Sequence, residues 1–341
     1  MSHPQIHPLH LTPFDELPNK RQVWPYPKNS REEGLGRLVL LTPDVVASAA
    51  ADLIRTGDRV NLGWELNKLE IANFGRQPCK HELISILDGV AFDDIYTFNP
   101  QQSSQWDGLR HFSQTDPTKE NPSRRVFYGG VTKEEILEPK NARIGMQCWA
   151  KEGICGRGIL LDYAAYAEKR GIQYSNFSDH FIPLSALLEI AKESNLSFKR
   201  GDILFVRTGL TKEWDTKMSI ESKNEYATTK TPLHAGVEGT EAMLRWIWNS
   251  GFAAVASDSL SFEIYPPKKS YPRGEDQSDF PGLFMHEYLL AGWGMPIGEL
   301  FDLEGLSEMC KRHRRWDFFV ASAPFNMPGG VSSPPNCVAI F

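Results

Sequence analysis

Between Gln101 and Phe112 the chain reads QQSSQWDGLRHF, which gathers an acid, a histidine and several amides into twelve residues. Gln105 and Asp107 are two apart, so on an extended strand both side chains leave the same face, with His111 a short turn further on. In that geometry a carboxylate can hold a cation while an imidazole moves a proton near neutral pH. The same residues also have a purely structural reading. Asp107-Gly108 is a turn dipeptide, Trp106 and Phe112 are core candidates, and His111 would be a hydrogen-bonded loop histidine. Spacing alone leaves both readings open.

The segment resembles the motif of the cyclase-type metal-dependent hydrolases, a family that includes kynurenine formamidase, isatin hydrolase and a dienelactone hydrolase. That motif, His-x-Gly-Thr-His-x-Asp-x-Pro-x-His, falls on Gln101, Ser103, Ser104, Gln105, Asp107, Leu109 and His111. Asp107 and His111 match, whereas glutamine stands at both earlier histidine positions; a branch of the family is similar to Gln-Trp-Asp-Gly-Leu before the His. The likeness continues in order through Gly156–Asp162, Gly201–Gly209, Ala253–Asp258, His286 with Met295–Glu299, and Ala323-Pro324 with Pro328–Pro334. It covers residues 35 to 341, leaving 1–34 as an N-terminal extension to a single cyclase-like domain.

The resemblance implies an α/β fold with a mixed β-sheet, barrel-like core and flanking helices, assembled as a homodimer or homotetramer. It also implies metal ligands at Asp107, His286 and Glu299, with Gln101 or Gln105 lending a neutral carbonyl oxygen to one Zn²⁺ or Mn²⁺. Exchanging two imidazoles for amides weakens such a site, so one metal or none is expected. With one metal, His111 would shuttle a proton during hydrolysis of an amide, formamide or lactone bond in a small cyclic or aromatic substrate. Without one, the chain would be a small-molecule binder or a non-hydrolytic cyclase. Trp106, Phe112 and Trp293 could line an aromatic pocket or pack the core. Arg157 and Arg207 could clamp a substrate carboxylate or form buried salt bridges.

Composition narrows the function classes. Of 341 residues, 41% are hydrophobic, enough for a large core, and Lys plus Arg number 37 against 43 for Asp plus Glu, a formal charge of −6. That balance argues against nucleic acid as a partner; the one basic run, Lys311–Arg315, reads as a helix end. No stretch approaches the roughly 20 apolar residues of a membrane span, and the N-terminus carries no apolar signal core, so a cytoplasmic location is expected. The five cysteines form no CxxC pair, so neither a disulfide framework nor a zinc ribbon is indicated. His3, His7 and His10 are loosely spaced in a tail. Ser259 and Ser261 beside Asp258 offer a serine nucleophile, but no Gly-x-Ser-x-Gly elbow accompanies them.

The elements that must position these residues alternate between helix and strand. Thr42-Pro43-Asp44 starts a helix to about Arg55. Helices are also expected over Thr132–Leu137, Pro183–Asn195 and Gly236–Ser250, the last ended by Gly251. Strands are expected at Asp58–Leu62, Ile159–Leu161, Ile203–Arg207, Ala253–Ala256, Phe318–Ala321 and Val338–Phe341. The segment Arg124–Arg143 could form a lid, and Tyr265–Asp279 reads as an exposed insertion rich in proline and charge.

Overall fold

The computed structural model describes residues 12–69, 73–116, 125–268 and 284–341. The N-terminal histidines and residues 269–279 of the expected insertion lie outside them.

A curled nine-stranded mixed sheet forms the centre, with helices on its flanks, as the α/β reading expected. Its spatial order is Arg59–Asn61, Cys337–Ile340, Asp317–Ser322, Ile154–Asp162, Ile203–Arg207, Ala254–Ser257, Ile297–Glu299, Gln105–Asp107 and Ser332–Ser333. The four strands from Ile154–Asp162 to Ile297–Glu299 run parallel to one another, and every other pairing in the sheet is antiparallel. Parallel neighbours require long crossovers, and the helices Leu184–Glu193 and Glu241–Ser250 lie within two of them. The parallel strands are buried throughout, as a sheet covered on both faces demands.

Local chemistry explains the boundaries. Thr42 caps the Pro43–Leu53 helix by accepting from Val45 N, with proline at the first turn. Thr132 and Glu135 form a reciprocal capping box at Lys133–Leu137. The strand expected at Ile159–Leu161 runs from Ile154, because Gly156 and Gly158 are strand residues rather than a turn. A Cβ at Gly158 would lie 2.4 Å from the Phe318 ring on the next strand. The helix expected from Gly236 begins at Glu241, where Thr240 caps it, while Gly236-Val237 pairs with Phe181-Ile182. Gly251 ends that helix in the left-handed conformation, as expected.

Residues 125–143 do not line the cavity described below. Their Arg143 is tied to Glu33 and Glu135, which fastens the segment to the chain's beginning. One helical run, Arg31–Leu53, is long and apolar enough for a membrane span by composition, contrary to the sequence reading. It changes helix type at Gly36 (φ 56°), and Leu35, Leu38, Leu40 and Leu53 turn into the protein core.

The hairpin of Lys80–Ile86 and Ala91–Thr97 stands apart from the main sheet. Both its faces are open, leaving Leu83, Ile84, Leu87, Val90, Phe92, Ile95 and Tyr96 exposed.

Candidate metal centre

The short strand Gln105–Asp107 sets the site. It pairs with Ile297–Glu299 so that Gln105 faces Glu299 across the ladder, and with Ser332–Ser333 on its other edge. Alternation then puts Gln105 and Asp107 on one face and turns Trp106 to the other. Gly108 allows the strand to end against Val331 O, 2.6 Å from where a Cβ would stand. His286 enters at the start of a π-helical turn, Glu287–Gly292, a form of helix frequent at functional sites.

Six buried side chains and the half-buried His111 meet there. Gln105 Nε2 donates to Glu299 Oε2 at 2.6 Å, and Gln101 Nε2 donates to Asp107 Oδ1 at 2.7 Å. Gln101 Nε2 also lies 3.1 Å from His111 Nδ1. His286 stands between two carboxylates, its Nδ1 2.8 Å from Glu263 Oε1 and its Nε2 3.0 Å from Glu299 Oε1. Asp107 Oδ2 is 3.7 Å from His111 Nε2 and 3.9 Å from His286 Nε2. Asp107 Oδ2 and Gln105 Oε1 are buried with no hydrogen-bond partner among the described residues.

Burial alone would depress the His286 imidazole, but Glu263 and Glu299 on its two nitrogens hold it well above the usual value. Burial and then Asp107 push the Glu299 carboxyl up to about 7. Burial lowers His111, with Asp107 opposing it, so the ring is neutral at pH 7. Glu263 is held below the ordinary value: burial raises it, and the charge and hydrogen bond of His286 outweigh that.

These donors fit a divalent cation. Asp107, His111 and His286 bring ligand atoms within 4.8 Å of one another, and Asp107 Oδ2 itself and Gln105 Oε1 are unmet among the described residues. Three carboxylates converge with one histidine between them, an excess of buried negative charge that a cation relieves. Glu263 on Nδ1 of His286 directs Nε2 inward, the arrangement that orients metal-binding histidines.

The site opens into a cavity of about 270 Å³ walled by Phe74, Phe112, Tyr265 and Phe284, with Arg76, His111 and His234 on its polar side. Arg76 Nη1 donates to Gln101 O at 2.6 Å, and no carboxylate pairs with it among the described residues. His234 donates or accepts between Ser261 Oγ (2.8 Å) and Tyr226 OH (3.1 Å), and burial lowers its pKa to about 3.

The structure thus brings together Gln101, Gln105, Asp107, His111, His286 and Glu299, with Phe112 on the cavity wall. It does not bring in three others expected to touch substrate. Trp106 faces the core, its Nε1 on Ser322 Oγ and its ring against Phe301. Arg157 is tied to Asp202 and Asp317. Trp293 is buried among Phe14, Trp248 and Tyr288, with Nε1 on Lys20 O. Arg207 is likewise held by Asp162 and Glu304. Asp258 accepts from Thr208 and Gly209, and Ser259 donates to Ala235 O, so these residues serve the loop structure.

The sequence signature of the family described as "Putative cyclase" matches residues 17–264, more than half of the chain. The chain belongs to the cyclase family. Membership places it among enzymes of hydrolase or cyclase kind. A solved structure described as a novel cyclase is similar to this cyclase-family chain at 24% identity and TM-score 0.73, covering 92% of this chain and 97% of its own. Isatin hydrolase A from Ralstonia solanacearum is similar at 15% identity and TM-score 0.56, covering 87% and 95%. Isatin hydrolase A from Labrenzia aggregata, bound to benzyl benzoate, is similar at 14% and 0.53, covering 87% and 97%. At these identities the likeness shows the fold alone. No curated protein sequence matches this chain.

Proposed function

We propose that this protein hydrolyses an amide, formamide or lactone bond in a small cyclic or aromatic substrate, aided by one divalent cation. The observation that supports this reading most is the pair of unmet oxygens, Asp107 Oδ2 and Gln105 Oε1, in a cluster whose His286 and Glu299 line an aromatic cavity. Asp107 and His286 would hold the cation, with the Gln105 carbonyl lending a third donor. When bound, a divalent cation lowers the pKa of water and polarises a carbonyl under attack. Phe74, Phe112, Tyr265 and Phe284 offer ring faces to a planar substrate. Arg76 is placed to receive the carboxylate that opening an amide or lactone creates. His111, neutral and partly open to the cavity, takes a proton from the attacking water and returns it to the leaving nitrogen or oxygen.

Metal analysis of tag-free protein, with a screen of formamides, cyclic amides and lactones, tests this. Near-stoichiometric Zn or Mn and turnover abolished by a chelator are expected. A protein that stays metal-free after reconstitution, yet melts higher with such compounds, is instead a binder. His111→Ala should retain the metal and lose turnover; loss of the metal would make His111 a ligand.

We propose further that the protein is a homo-oligomer joined through the Lys80–Thr97 hairpin. A two-stranded hairpin is marginal alone in water, and this one leaves seven large apolar side chains exposed on its two faces and turn, the kind of surface that marks an interaction site. Exposed Phe325 and Met327 extend that surface at its base, where Phe325 meets Phe98. One chain therefore carries both an arm and an apolar surface to receive the arm of a second copy. Light scattering should give a multiple of the 38.5 kDa chain mass that Leu83→Asp with Phe92→Asp reduces to one chain; an unchanged mass refutes the arm.

A further inference from the structure

Away from the site, Arg37 is 1% exposed. Its backbone N donates to Gly294 O at 2.7 Å, its Nε donates to Phe252 O at 2.8 Å, and its Cζ lies over Trp248, 4.7 Å from the ring centre. Nη1 and Nη2 have no partner, and no carboxylate among the described residues pairs with Arg37. The neighbouring acids are committed elsewhere, Glu32 to Arg31 and Glu33 to Arg143.

Arg37 lines a cavity of about 10 Å³ together with Val23, Tyr26, Tyr128, Trp248 and Trp293. Such a volume admits one water-sized particle. The walls present hydrogen-bond donors and aromatic rings. Both tryptophan N–H groups are directed elsewhere, to Thr12 O and Lys20 O. Burial, chiefly, pulls Arg37 down to about 9, which leaves it charged at neutral pH. Burial likewise pushes Tyr26 up to about 12 and Tyr128 higher still, so neither becomes a phenolate counter-ion. Arg200 adds a second positive charge that acts on Arg37.

We propose that this cavity is a binding site for one small monovalent anion, chloride in ordinary solution, held by Nη1 and Nη2 of Arg37. A buried unpaired cation is costly, and an ion occupying the cavity offsets it where no side chain does. Because Arg37 N also holds Gly294, the anion would brace the turn that leads into Met295–Glu299.

Crystals of the full chain grown with bromide replacing chloride test this directly. An anomalous peak in contact with both Nη atoms is expected. A neutral water there, with bromide seen only elsewhere, overturns the proposal. Melting in chloride against gluconate at equal ionic strength gives an independent reading. Chloride should raise Tm by about 2 °C in a saturable way in the wild type and not in Arg37→Met. Tyr128→Phe, which keeps the guanidinium, should retain the bromide peak should Arg37→Met fail to fold. Equal melting in both salts counts against the site.

Discussion

Asp107→Ala should fold yet lose both its metal and its turnover. The side chain is fully buried on the Gln105–Asp107 strand, and one of its oxygens has no partner. Removing it sacrifices one hydrogen bond, from Gln101, and no apolar packing. A partner one step removed from a metal costs about 10–100-fold in affinity or activity, so a direct ligand should cost more than that. Elemental mass spectrometry, paired with circular dichroism, measures both halves of the expectation. A variant that keeps near-stoichiometric metal would show that Asp107 is not a ligand.

Gly236→Ala should destabilise the fold by about 3 kcal/mol, the upper part of the range for an added group in a packed interior. A Cβ at Gly236 would stand 2.2 Å from Glu263 C, 2.4 Å from its O and 2.5 Å from Ile264 N. These are backbone atoms, so no side-chain rotation relieves the contact, and the Glu263 segment must move. That segment carries the carboxylate on His286 Nδ1. The urea midpoint should therefore fall together with metal retention. Glu263→Gln separates the two effects, since it leaves the backbone in place and weakens only the hold on His286. It should lower metal affinity about 10–100-fold with a much smaller change in midpoint. An unchanged midpoint in Gly236→Ala would refute the close approach.

Much of this was legible in the sequence, because apolar runs of strand length, cap residues and Gly251 report local conformation directly. Ile203–Arg207 was read residue for residue. The pairing of Gln105 and Asp107 on one face followed from a period of two. Glu263 was not legible: it lies in a short irregular stretch, and only the chain's path brings it to His286, 23 residues on. Arg76 and His234 were missed for the same reason. Of the three aromatic candidates Phe112 lines the cavity, while Trp106 and Trp293 took the core-packing alternative, because a tryptophan has the same letter in a pocket or a core; Trp106 is turned from the site by the very alternation that directs Asp107 into it. Arg157 was ambiguous until its partners, Asp202 and Asp317, were placed beside it.

The strand that carries Asp107 is flanked on one side by Ile297–Glu299 and on the other by Ser332–Ser333. Both neighbours are synthesised long after it. While the chain is still on the ribosome, residues 105–107 therefore have no ladder to join, and His286 has no Glu299 to meet. A fragment stalled before residue 297 holds the aspartate without the centre, so a cation bound there as proposed would follow, and not guide, the assembly of this end of the sheet.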